Sequence, residues 1–126
     1  MTVYEFPYRF HKGVWLPLIP VAFKTFQTAA LVDSGASVSL FDPKIGETLG
    51  ISVDKGKKVY LTGIAGRILA YEHTVTVKIA DYEFLLKAAF SYELKVSVNL
   101  LGQDNFFDKF IVTFNKSKHV LRLSMR

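Results

Sequence analysis

Apolar residues recur along this chain mainly with a period of two, and that alternation predicts β-strands. Ile19 to Phe23 and Thr28 to Val32 read as strands, with Lys24-Thr25-Phe26-Gln27 as a hairpin connection. Val38-Ser39-Leu40-Phe41 is a further brief strand. One helix interrupts the series. Asp42 suits its N-cap, Pro43 its first position and Gly50 its close, while Ile45 and Leu49 share a buried face. Val59 and Leu61 alternate with polar neighbours up to Gly63. Beyond Gly66, Val75, Val77 and Ile79 point one way and Thr74, Thr76 and Lys78 the other. Asp81 marks a turn before Tyr82 to Phe90. Val98-Asn99-Leu100-Leu101 predicts a strand ending at Gly102, and Gln103 to Asp108 a short helix with Asp104 near its positive end. Phe110 to Phe114 and Val120 to Leu123 form a last hairpin across Asn115-Lys116-Ser117-Lys118. The expected class is all-β: a small, closed, mostly antiparallel barrel-like body with one or two short helices.

Composition narrows this picture. The 126 residues suit a single domain, 1–126, that is half hydrophobic and too short for two catalytic lobes side by side. The net charge of +5 raises nucleic acid as a partner, but the densest basic stretch, Asp54-Lys55-Gly56-Lys57-Lys58, is short and holds an acid, so it reads as a solvated turn. No nucleic-acid partner is expected. The chain has no cysteine, which excludes disulfides, thiolate metal sites and cysteine nucleophiles. His11, His73 and His119 lack companions at ligand spacing, so no metal and no cofactor is expected. Val14 to Phe23 is cut by Pro17 and Pro20 and is too short to span a bilayer, and Met1 to Phe6 lacks a basic start and an apolar signal core. The expectation is a soluble cytoplasmic protein with no membrane partner.

The chemistry concentrates in Ala30-Leu31-Val32-Asp33-Ser34-Gly35-Ala36-Ser37-Val38-Ser39-Leu40. An acid directly after an apolar strand is costly unless something pairs or uses it. Gly35 permits a tight turn around the carboxylate, and Ser34 is placed to hydrogen-bond locally and fix the loop. Asp, Ser and Gly are also ordinary β-turn residues, but the apolar runs on both sides argue against a plain surface turn. Serine-hydrolase chemistry does not fit, because Ser34 and Ser37 stand outside a Gly-x-Ser-x-Gly pattern.

Three segments, in this order, resemble the retropepsin family of aspartic proteases. Leu31-Val32-Asp33-Ser34-Gly35-Ala36 is similar to its signature loop, Gly63-Ile64-Ala65-Gly66 to the glycine-rich tip of its flap, and Asn99-Leu100-Leu101-Gly102 to the apolar-apolar-Gly before its final helix. The likeness runs from about residue 16 to residue 123. It implies an acid-protease fold and hydrolysis of extended peptides by a water held between two carboxylates. The chain holds one Asp-Ser/Thr-Gly, so the resemblance implies a homodimer in which Asp33 of each copy supplies one carboxylate. Ser34 would then brace the two loops, and backbone groups at Gly35 and Ala36 would line the cleft floor. Gly63, Ile64, Ala65 and Gly66 would close over the substrate.

Where viral members often carry an acid, this chain has Ser37, and no substrate contact is carried over to that position. Met1 to Trp15 matches nothing in the family pattern, which leaves three roles open: an added strand, a larger dimer interface, or a cover over the cleft. Trp15 is expected to anchor packing. The alternative to an enzyme is the same fold kept as an inactive peptide-binding or dimerisation module.

Overall fold

The computed structural model describes residues 2–63, 66–94 and 98–126. Their alternation yields twelve strands and one α-helix. The first three strands are β1 (Val3–Pro7), β2 (Arg9–His11) and β3 (Val14–Leu16). The next three are β4 (Leu18–Ala22), β5 (Gln27–Val32) and β6 (Ser39–Phe41), followed by helix α1 (Pro43–Thr48). Then come β7 (Lys57–Gly63), β8 (Gly66–Ile79), β9 (Tyr82–Phe90), β10 (Asn99–Leu101), β11 (Phe110–Asn115) and β12 (Val120–Met125).

Seven of these strands share one sheet in the order β4-β5-β10-β6-β9-β8-β7. A further pair, Ala22↔Lys78, joins β4 to β8, so six strands return on themselves and β7 stays outside. The sheet is less uniformly antiparallel than its alternation suggests: β5 pairs β10 in parallel, and so does β6 with β9. Parallel neighbours need long crossover connections, and both pairs here close loops that run through the middle of the chain.

The inward faces supply the core. Val75, Val77 and Ile79 are buried while Thr74, Thr76 and Lys78 are exposed, as their alternation requires. Phe41, Phe90, Phe106 and Phe110 are fully buried with Ile19, Leu86, Leu101, Leu121 and Leu123. At about 1.5–3 kcal/mol per large side chain removed from water, this cluster dominates the drive to fold. Asp42 caps α1 by accepting a hydrogen bond from the Lys44 N–H at 2.9 Å, and Gly50 takes the left-handed conformation just past its end (φ 79°). Ile45 and Leu49 pack against the core from that helix.

One expectation needs correction. Gln103–Phe107 is not a regular helix but one wide turn, in which Asp104 (φ −68°, ψ 124°) and Asn105 (φ 73°, ψ −37°) leave helical geometry. Local side-chain bonds win there: the Asn105 N–H donates to the Asp108 carboxylate at 2.9 Å, and the Asn105 side-chain oxygen accepts from the Lys87 N–H at 2.8 Å. Trp15, expected to anchor packing in the core or at an interface, packs at the surface of the chain. It is 50% exposed, stacked on His119 at 5.0 Å between centroids with Phe10 at its edge. The segment before it adds strand β1 to β12 and a separate hairpin, β2–β3. Among the described residues, no helix is long and apolar enough to cross a membrane.

Candidate active site

Strand β5 delivers Asp33 at its end, half-buried, beside the last residue of its parallel partner β10. The Asp33 N–H donates to the Leu101 carbonyl at 3.0 Å, which ties the loop to β10 at its first residue. The chain then turns tightly: the Ala36 N–H donates to the Asp33 carbonyl at 3.2 Å, and the Gly35 N–H donates to Asp33 Oδ1 at 2.9 Å. A Cβ at Gly35 would lie 3.3 Å from that same oxygen, so glycine gives this N–H its close approach to the carboxylate. The second carboxylate oxygen has no partner among the described residues and stays available to water.

The far side of the loop rests on Gly102. The Ala36 and Ser37 carbonyls accept from the N–H groups of Gln103 (2.8 Å) and Asp104 (2.9 Å). The Gly102 N–H donates to the hydroxyl of buried Ser39 at 3.1 Å. A Cβ on Gly102 would meet the Val38 carbonyl oxygen, lie 2.6 Å from the Val38 carbonyl carbon and 2.7 Å from the Ala36 oxygen. The apolar-apolar-Gly segment thus serves as a seat for the Asp33 loop, with room for backbone alone.

Gln103 closes the arrangement from outside. Its side-chain amide donates to the Ser34 carbonyl at 2.6 Å. Sequence alone does not single out this residue, because its role exists only once β10 lies parallel to β5. Ser34 itself departs from expectation. It sits exposed at the loop tip, and its hydroxyl makes no hydrogen bond among the described residues, so Gln103 rather than Ser34 fixes the loop within one chain. Gly35 is likewise exposed and Ala36 half-buried.

Beneath the loop, buried Asn99 ties three elements together. Its side-chain oxygen accepts from the Asp42 N–H at 2.9 Å, and its amide donates to Thr28 Oγ1 at 3.2 Å and to the Ala29 carbonyl at 3.1 Å. Asn99→Ala strands these groups and is expected to destabilise the protein by about 2 kcal/mol. A urea melt checks this, and an unchanged midpoint would refute the role.

The β7–β8 hairpin is paired from Lys57↔Glu72 to Gly63↔Gly66. Its residues Val59, Leu61, Ile68 and Ala70 join Val38, Leu40 and Leu100 in a small apolar cluster apart from the main core. Ile64 and Ala65, expected at the hairpin's tip, lie outside the described residues; Gly66 has a φ of 109°. The hairpin is held midway along its paired length, where the Ser91 hydroxyl donates to the carbonyl of Leu69, the partner of Tyr60. Nearby, Tyr92 donates to Glu47 at 3.0 Å, and that bond, with a smaller contribution from burial, holds its phenol above the usual range. No cluster of three or more His, Asp or Glu suited to a metal occurs among the described residues.

An acid at a strand end, seated on an apolar-apolar-Gly segment, agrees with what sequence comparison finds: residues 19–104 match the aspartyl protease family. The chain belongs to that family. The fold agrees. The crystal structure of a retropepsin-like aspartic protease from Rickettsia conorii superposes with a TM-score of 0.75 at 21% identity, covering 98% of this chain and 99% of that one. This aspartyl protease family member therefore has the retropepsin-like fold. Its sequence matches no curated protein.

Proposed function

We propose that the protein is an aspartic endopeptidase whose complete site forms between two copies of the chain. The observation that carries this reading is Asp33 itself. It is held by its backbone to β10, one oxygen is set by the Gly35 N–H, and the other has no partner among the described residues. In this reaction one carboxylate takes a proton from the attacking water while the other polarises the scissile carbonyl, and the leaving amine is then protonated. A single carboxylate cannot do both at once, and the family motif occurs once in the chain. A two-fold axis beside the exposed tip at Ser34 and Gly35 would bring Asp33 of each copy to one water, with the two Ser34 hydroxyls free to bond across it. The two acids would then titrate as a coupled pair.

The β7–β8 hairpin fits a flap. Its inward apolar residues face the cluster that includes Leu100, and an extended peptide laid between hairpin and loop would have its backbone groups paired by strand addition. Gly63, Ile64, Ala65 and Gly66 would form the tip that closes on substrate, with Ala36 backbone below. The apolar cluster favours peptides with apolar residues flanking the cut. Water and the paired carboxylates suffice, with no cofactor.

Because half a site resides on each chain, specific activity is expected to fall on dilution through the dimer dissociation constant. Titrating excess Asp33→Asn chains into the parent protein is expected to suppress cleavage by forming mixed dimers. Constant specific activity across several decades of concentration, with no effect of the added variant, would sink the shared-site reading.

A further inference from the structure

A concavity of about 310 Å³ lies between the β2–β3 hairpin and the β5–β10 pair, lined among others by Arg9, Phe10, Leu18, Thr28, Val98 and Asn99. Its position relative to Asp33 follows from strand register. Leu18 pairs with Leu31, and the Val32 N–H donates to the Pro17 carbonyl at 3.0 Å. Arg9 stands on β2, paired to Leu16 of β3, two residues before Leu18 at the start of β4. The wall residues on β4 and β5 lie level with positions two to five places before Asp33. At about 3.3 Å per residue this is roughly 7–17 Å, the reach of about two to five residues of extended peptide.

The lining is chemically one-sided. Among the described residues its lining carries one guanidinium and one imidazole: Arg9 is exposed and has no ion pair, and His11 has a buried Nε2 with no hydrogen-bond partner. Among the described residues no carboxylate lines the concavity. The Asn99 amide is committed to Thr28 and Ala29, and Thr28 Oγ1, an acceptor in that bond, keeps its own proton to donate. Phe10, Leu18 and Val98 supply apolar contact between these donors. A guanidinium and a hydroxyl over an apolar floor suit a carboxylate on a short aliphatic stem. Arg9 and Phe10 also lie outside residues 19–104, so this wall is an addition to the part of the chain that matches the family.

We propose that this concavity is a distal substrate subsite that selects an acidic side chain, glutamate or aspartate, two to five residues from the scissile bond, with Arg9 as the specificity-determining residue. The proposal rests on the peptide-cleaving reading of the Asp33 site for its purpose, but it concerns binding and is tested as binding.

The probes are fluorescein-labelled peptide mixtures with amidated C-termini, differing only in Glu, Gln or Lys at one fixed position, so the varied side chain is the sole change in charge. Binding is read by anisotropy on the Asp33→Asn protein, which does not consume them. The Glu mixture is expected to bind about three- to tenfold more tightly than the Gln mixture at low salt, with the difference shrinking as salt screens it. Arg9→Ala should erase the preference and Arg9→Glu should turn it toward Lys. Thr28→Val should reduce it in part. Equal binding of the Glu and Gln mixtures, no detectable binding of any mixture, or a preference unmoved by Arg9→Glu would each overturn the subsite. Cleavage by the protein with Asp33 intact separates the two readings. Cutting without charge preference removes the subsite and keeps the protease, whereas a charge preference in binding without cutting does the reverse.

Discussion

Asp33→Asn is expected to lower peptide cleavage by about three orders of magnitude or more while leaving the fold intact, since losing positioned acid–base chemistry alone costs about 10²–10⁴-fold and each dimer would lose both carboxylates. The fold should tolerate the change for a specific reason. Asp33 is bound in its chain through its own N–H to Leu101, its carbonyl to Ala36, and one side-chain oxygen to the Gly35 N–H. An asparagine oxygen accepts that last bond equally well and matches the carboxylate in size. The amide cannot take a proton from water at any useful pH, and in the proposed dimer it would remove the charge the two acids share. The measurement is the cleavage rate of an apolar-flanked peptide mixture beside a thermal melt of both proteins. Lost activity with a matching melt supports Asp33 as the reacting carboxylate. Activity that survives in the variant would assign the cutting to another group.

What the chain shows in advance and what it hides divide along a physical line. Period-two burial is local, so β8 and β9 and the inward set Val75, Val77 and Ile79 are legible from their neighbours alone. Strand partnership is not local. Nothing in Gln27–Val32 announces that it will lie parallel to Asn99–Leu101, nearly seventy residues on, and the role of Gln103 depends wholly on that pairing. The Gln103–Phe107 turn hides for a different reason. Its residue types permit a helix, but Asn105 finds stronger local partners in Asp108 and the Lys87 backbone. Asp33 stands out because an acid ending an apolar strand is anomalous by itself. Ser34 shows the limit of the same reasoning, since a hydroxyl able to bond locally does not do so when it is lifted to an exposed loop tip.

Gly102→Ala is expected to cost about 3 kcal/mol or more, at the upper end of what overpacking does, because the added methyl meets backbone and not a movable side chain. The atoms it would strike belong to Val38 and Ala36, both in the Asp33 loop. Neither side can yield cheaply. Leu101 before it is fully buried, the Gly102 N–H donates to the hydroxyl of buried Ser39, and the loop is held by Gln103 and Asp104 one and two residues on. At about 3–6 °C per kcal/mol for a chain of this size, the melting temperature should fall by roughly 10–20 °C. In molecules that remain folded the loop must lift, and a displacement near 1 Å at reacting groups costs about 10²-fold in rate. Gly50→Ala separates this from ordinary glycine strain. Gly50 has a φ of 79° with nothing within 4 Å of a built Cβ, so alanine there should cost about 1–2 kcal/mol of stability and no activity per folded molecule. If Gly102→Ala instead behaves like Gly50→Ala, the Asp33 loop does not rest on this glycine, and the geometry assigned to the carboxylate loses its foundation.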